Sequence, residues 1–189
     1  MTDFLHLIPR RAVPPLRVDL VGGGTFDLAS EKPAQFTLLV FYRGLHCPIC
    51  KTQLRELEAK LDEFDKRGVA VVAVSSDTKD RATQTRDGWG LTRLRLGYGL
   101  DLAAARRWGL FISSGRGMTS TGLEEPARFS EPALYLIRPD STLYFGSVQT
   151  MPFARPHFAD ILAAIDYVQK NNYPARGEVV DLSEAVPAA

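Results

Sequence analysis

The most constraining stretch of the chain is an apolar run that leads into a pair of cysteines. Phe36-Thr37-Leu38-Leu39-Val40-Phe41 is short, continuous and apolar, the pattern of a strand covered on both faces. Arg43-Gly44-Leu45-His46-Cys47-Pro48-Ile49-Cys50 follows. Cys50, Leu54, Leu57, Leu61 and Phe64 then recur at helical spacing and define one buried face. Gly68 supplies a stop, and Val69 to Ser75 reads as a second buried strand. A strand, a helix and a strand in that order imply two parallel strands, because the crossover returns the chain to the same end of the sheet.

The flanking segments complete a sheet around this unit. Leu16 to Leu20, the turn Val21-Gly22-Gly23-Gly24 and Thr25 to Leu28 predict an N-terminal β-hairpin. Thr78 to Trp89 and Leu102 to Trp108 predict two further helices. Phe111 to Ser130 has no period and reads as a long loop, a feature often tied to function. Ala133 to Ile137, the turn Pro139-Asp140-Ser141 and Leu143 to Val148 predict a second hairpin. A closing helix starts near Pro156, carries Phe158, Ile161, Leu162, Ile165 and Val168 on its inner stripe, and ends at Asn171-Asn172 before Pro174. The fold class expected is α/β: a mixed central sheet with helices on both faces and an N-terminal β-hairpin, a thioredoxin-like architecture. Residues 1–189 form one domain with its core at about 13–170, and the tail 173–189 is expected to be extended or disordered.

Composition narrows the partners. A chain of 189 residues buries a substantial core without staples, and a net charge of +1 offers no bulk field for nucleic acid or an acidic membrane surface. No stretch has the roughly 18 consecutive apolar residues of a membrane span, and the first twenty residues lack the apolar core of a signal peptide. Cytoplasmic location is the resulting expectation. That compartment keeps thiols reduced, so two cysteines there point to a conditional bond rather than a structural one.

The placement of the cysteines gives that bond its chemistry. Cys47 falls at the N-cap of the helix, with Pro48 at the favoured first helical position. Its sulfur then faces unpaired N–H groups and the positive end of the helix dipole, which stabilise a thiolate. Cys50 sits in the same first turn, and Arg43 and His46 are expected to add positive charge. Cysteines in C-x-x-C pairs at helix starts reach pKa values of about 3.5 to 7.5, against about 8.5 when free. A zinc site would need four ligands, whereas His6, His46 and His157 are the only histidines and there is no second C-x-x-C. No metal and no organic cofactor is implied.

The segment Phe41-Tyr42-Arg43-Gly44-Leu45-His46-Cys47-Pro48-Ile49-Cys50 resembles the active-site segment of peroxiredoxin-like proteins of the alkyl hydroperoxide reductase and thiol-specific antioxidant (AhpC/TSA) family. The resemblance extends more loosely through Val71 to Asp77 and the Pro132 hairpin to the last helix, over about residues 13 to 170. It implies that Cys50 takes the peroxidatic position. The family pattern has Pro where this chain has Arg43 and Thr or Ser where it has Cys47. The family also tends to place an Arg just before the second hairpin, where this chain has Pro132. Pro132 in turn resembles the cis-proline that faces the C-x-x-C of thioredoxins, against the plainer reading of an edge-strand proline. Arg116, Arg128 and Arg155 are the loop residues that could supply the missing arginine and bind substrate.

Three functions are compatible with these residues. In a peroxidase, Cys50 attacks a hydroperoxide, becomes a sulfenic acid and condenses with Cys47. In a disulfide reductase, Cys47 attacks a disulfide and Cys50 resolves the mixed disulfide. In a redox-sensing binding module without turnover, oxidation reshapes the Phe111–Ser130 loop. The peroxidase is favoured. Its partners are a hydroperoxide or disulfide substrate and a thioredoxin-like or low-molecular-weight thiol reductant, and the resemblance is compatible with a homodimer.

Overall fold

The computed structural model describes residues 6–181 and 183. Nine strands and five helices are present among them. The chain order is β1 (Arg17–Leu20), β2 (Thr25–Asp27), β3 (Phe36–Phe41), α1 (Pro48–Ala59), α2 (Leu61–Asp65), β4 (Val69–Val74), α3 (Lys79–Trp89), β5 (Leu96–Tyr98), α4 (Leu102–Arg107), β6 (Ile112–Ser114), β7 (Arg128–Ser130), β8 (Ala133–Ile137), β9 (Leu143–Val148) and α5 (Phe158–Asn171). Seven strands form one mixed sheet in the order β2-β1-β5-β4-β3-β8-β9, and β6 pairs with β7 as a separate ribbon. The α/β, thioredoxin-like class read from the sequence is the class observed.

The central strand explains why the site sits where it does. Every residue of β3 is buried. Phe36, Leu38 and Val40 point into a core shared with α1, α2 and α5, while Leu39 and Phe41 point into a second core on the opposite face with Trp108 and Tyr135. Fully burying a side chain of this kind contributes roughly 1.5–3 kcal/mol, and a one-residue slip would exchange the two faces. The register is held on both sides: β3 runs parallel to β4, with Phe41 opposite Val74, and antiparallel to β8, with Phe41 opposite Ala133. The turn after Phe41 therefore leaves from a fixed point at the middle of the sheet.

The helices follow from capping and from apolar stripes. Thr78 caps α3, accepting from Arg81 N at 3.4 Å, and Gly90 closes that helix in the left-handed conformation. In α5, Phe158, Ile161, Leu162 and Ile165 are buried in the same core as Cys50, Leu54 and Leu57 of α1. The helical stripe from Cys50 to Phe64 belongs to two helices rather than one: the backbone breaks at Lys60, and α2 carries Phe64 inward. On the other face, Trp108 packs against Phe41 and Tyr135 with ring centroids 5.6 and 5.4 Å away, and the Tyr135 hydroxyl donates to the Trp108 carbonyl at 2.6 Å.

One segment differs from the sequence expectation, and the tail, expected to be extended or disordered, is held to the rest of the fold at its start. The loop at 111–130 is anchored at both ends by pairing, with Ile112 opposite Ser130 and Ser114 opposite Arg128. The tail after α5 carries no regular element as far as it is described, yet its first residues are extended and docked. Tyr144 donates to the Tyr173 carbonyl at 2.9 Å, Arg10 Nε to the Ala175 carbonyl at 2.9 Å, and Ala175 is buried. Residues 182 and 184–189 of the expected tail lie outside the described residues.

Candidate active site

The site is built on the turn between β3 and α1. Cys47 N–H donates to the Gly44 carbonyl at 3.1 Å, and the Leu45 N–H donates to Asp77 Oδ2 at 2.7 Å. Gly44 has φ +133°, and a Cβ there would lie 2.7–2.9 Å from the Asp77 carboxylate, so the position requires glycine. Asp77 follows β4 and is itself held by Arg81 Nε at 2.9 Å. Burial pushes the Asp77 carboxyl pKa up, while the Leu45 N–H and Arg81 oppose that rise. Charged partners of this kind fix the turn before any substrate arrives.

Cys47 is the N-cap of α1, and Pro48 opens the helix. The Cys47 sulfur accepts the Cys50 N–H at 3.3 Å, one of the donors that a helix start leaves unpaired. Both cysteines are free thiols, and their residues are only 1% and 0% exposed. The Cys47 thiol is pulled down to about 6 by the hydrogen bond from the Cys50 thiol first, then by the Cys50 N–H and by the charges of Arg155 and Arg43, against the opposing effect of burial. Cys50 moves the other way: burial and the neighbouring Cys47 sulfur push its thiol well up. The two neighbouring thiols are thus pushed in opposite directions, Cys47 down and Cys50 up.

Arg155 completes the constellation from across the chain. It lies in the segment between β9 and α5, and its Nη2 is 3.3 Å from Cys50 Sγ and 3.7 Å from Cys47 Sγ. Its Nε donates to the Pro152 carbonyl at 2.8 Å and its Nη1 donates to Gln53 Oε1 on α1. A guanidinium held at two points beside two sulfurs can stabilise a thiolate and the oxyanion that departs from a peroxide. Among the described residues no group of three His, Cys, Asp or Glu side chains is arranged to hold a metal ion.

Residues 9–145 match the AhpC/TSA family. The chain belongs to that family. This AhpC/TSA protein is a thiol-dependent antioxidant enzyme. Its fold is similar to that of the peroxidoxin BcpB of Mycobacterium tuberculosis, at 16% identity over 86% of this chain and 99% of that one, with a TM-score of 0.67. It is similar also to AhpC of Mycobacterium tuberculosis (14% identity, 90% and 98% covered, TM-score 0.70). The reduced 2-Cys peroxiredoxin of Plasmodium vivax is a third likeness (18% identity, 86% and 82% covered, TM-score 0.69). No curated protein sequence matches the chain.

The other residues singled out in the sequence of this AhpC/TSA protein fall in different places. Arg116 and Arg128 are exposed on the β6–β7 segment, and neither is recorded in contact with a sulfur. Pro132 is buried at the head of β8, its carbonyl accepting Gln149 N–H at 3.0 Å, and no peptide bond among the described residues is cis. The likeness to a thioredoxin cis-proline is therefore corrected to a trans proline that starts a strand. Glu131, next to it, is buried and turned towards Arg43, with 3.2 Å between Arg43 Nε and Glu131 Oε2.

His46 also departs from expectation. It is buried against Phe129, ring centroids 4.6 Å apart, and burial together with Arg43 lowers its pKa to about 4. It is neutral at pH 7 and brings no positive charge to the cysteines. Gln53, Asp77 and Arg81 are the positioning groups that sequence reasoning missed. The signal for Asp77 was its place directly after a buried strand, at the edge of an α/β sheet where sites gather.

Proposed function

We propose that the enzyme reduces small hydroperoxides with Cys47 as the attacking thiolate and Cys50 as the resolving thiol. The observation that carries this reading is the placement of the Cys47 sulfur, which accepts the Cys50 N–H at the start of α1 and lies 3.7 Å from the Arg155 guanidinium. A hydroperoxide presents a two-atom reacting end. A cysteine pair set against a guanidinium that is itself anchored by Pro152 and Gln53 goes beyond what a non-catalytic sensor requires.

The steps balance as follows. The Cys47 thiolate attacks the terminal peroxide oxygen, an S–O bond forms, the O–O bond breaks, and the departing alkoxide takes a proton to leave as an alcohol or water. Sulfur is oxidised by two electrons to the sulfenic acid. Cys50 then attacks that sulfur, an S–S bond forms, and hydroxide leaves with the Cys50 proton as water. An external dithiol, or two small thiols, returns the two electrons by exchange. A reducing compartment such as the cytoplasm supplies thiols of that class.

A second order of events, with Cys50 attacking first, is favoured by the family position of Cys50 and by the shorter Arg155 contact to its sulfur. Single-cysteine variants decide between them. Cys50→Ser mixed with stoichiometric hydrogen peroxide is expected to trap sulfenic acid on Cys47, read by dimedone labelling and mass spectrometry, faster than free cysteine reacts. Cys47→Ser is expected to react as an ordinary thiol. Fast labelling of Cys50 in Cys47→Ser would reverse the roles, and parent rates no higher than free cysteine would refute the peroxidase.

A further inference from the structure

Arg43 occupies a place where charge is costly. It lies between the end of β3 and the Gly44–Cys47 turn, with its side chain 16% exposed. Its Nη2 is 3.3 Å from Glu125 Oε1 and its Nε 3.2 Å from Glu131 Oε2, on carboxylates that are themselves 9% and 5% exposed. Its guanidinium carbon stacks 4.6 Å from the centre of the Phe129 ring. Desolvating three charges together is seldom a source of net stability, since apolar side chains of the same volume do as well or better. The arrangement therefore calls for an explanation in placement.

Both carboxylates are oriented by the segment that contains β6 and β7. Glu131 Oε1 accepts the Ser113 hydroxyl at 2.6 Å, and Glu125 Oε2 accepts the Arg116 N–H at 2.8 Å. A parallel strut runs beside this one: Arg81, which holds Asp77 and through it the Leu45 N–H, also donates from Nη2 to the Glu124 carbonyl at 3.2 Å. Leu123, next to Glu124, packs on the core that contains both cysteines. The 112–131 segment is thus tied down on the cysteine turn by two arginines, one of which belongs to the turn itself.

We propose that Arg43 is a positioning residue for Cys47, and that the 112–131 segment contributes to the chemistry by holding the Arg43 guanidinium through Glu125 and Glu131. This rests on the assignment of Cys47 as the reacting sulfur. Arg43 is joined directly to Gly44, whose carbonyl accepts the Cys47 N–H at 3.1 Å, so fixing the guanidinium fixes the turn that presents the sulfur; the other charged or titratable groups that bear on Cys47 are Cys50 in α1 and Arg155 from the segment before α5. Arginine suits the task because its planar fork meets two carboxylates at once and keeps its charge, which a lysine ammonium does without the fork.

The test measures ionisation rather than turnover, so it stands apart from whether peroxide is the substrate. In a Cys50→Ser background, the rate of Cys47 alkylation by iodoacetamide is followed by mass spectrometry from pH 4.5 to 9, and its midpoint is compared among variants of unchanged circular dichroism. Arg43→Gln is expected to raise the midpoint by about half a unit or more, and Arg43→Lys to recover part of that shift. Glu125→Gln/Glu131→Gln is the discriminating variant. Removing two negative charges would by itself lower the midpoint, whereas releasing Arg43 raises it. An unchanged midpoint in Arg43→Gln, or a lowered one in the double variant, would overturn the proposal. The double variant retains Arg43, so it remains informative should Arg43→Gln fail to fold.

Discussion

Arg155→Gln is the perturbation that most directly tests how the site works. The parent guanidinium approaches both sulfurs, at 3.3 and 3.7 Å, and a hydrogen bond to a charged group contributes roughly 1.5–3 kcal/mol. Each 1.4 kcal/mol or so is a factor of ten, so the loss should lie at about 10- to 100-fold in the rate with hydrogen peroxide at pH 7. Only a small part of that is ionisation. If Cys47 rises by about one unit from its value of about 6, the thiolate fraction at pH 7 falls from about nine-tenths to about half. The larger part reflects the departing oxyanion, which no change of pH restores. Stopped-flow mixing with hydrogen peroxide, followed by thiol counting at pH 7 and pH 8.5, separates the two. A variant within twofold of the parent at pH 7 would remove Arg155 from the chemistry. A deficit that vanishes at pH 8.5 would reduce its role to setting the thiolate.

Two further outcomes follow from the same geometry. His46 has a folded pKa of about 4 against about 6.5 in the free side chain, so between those values the unfolded chain binds the extra proton. Its stabilising effect is complete above pH 6.5 and is lost as pH falls towards 4, at most about 3 kcal/mol; urea unfolding across this window should show the slope, and His46→Gln should flatten it. Asp77→Ala leaves the Leu45 N–H and Arg81 without their carboxylate and should cost about 2–4 kcal/mol in urea, with slower alkylation of Cys47 at pH 7; an unchanged urea midpoint would contradict the role assigned to Asp77.

The parts of the fold that were legible in the sequence are those where a local pattern suffices. Five apolar residues and one threonine at 36–41 fix a strand buried on two faces, and Cys47 followed by Pro48 fixes a helix start, whatever the rest of the chain does. Strand β5 was illegible because it is three residues long and centred on Gly97, where a Cβ would meet Val18 Cγ2 at 2.7 Å. That constraint is tertiary and leaves no periodic trace. The β6–β7 pairing was hidden for a similar reason, since Ile112–Ser114 and Arg128–Ser130 are short and mostly polar.

The site divides along the same line. The cysteines announce themselves by spacing, but Arg155 meets Cys50 across 105 residues and carries no local mark that separates it from Arg116 or Arg128. His46 was misread as a charge because sequence gives its type and not its burial against Phe129. Pro132 was open to two readings, a thioredoxin-like cis-proline and a plain strand proline, and the trans bond of the structure is the ordinary state of an X–Pro peptide.

Hanging the cysteine turn from the end of β3 has a mechanical consequence. The strand is clamped by neighbours on both edges and by cores on both faces, so moving its end means opening the whole molecule. The far wall of the site is made differently: residues 149–157 belong to no helix or strand, and Met151 and Phe153 project into solvent. On the proposed mechanism an outside thiol would then be admitted from the 149–157 side, where no sheet or helix has to open, and not from the side of β3. The site has one wall built into the sheet and one laid over it, and Arg155 belongs to the second.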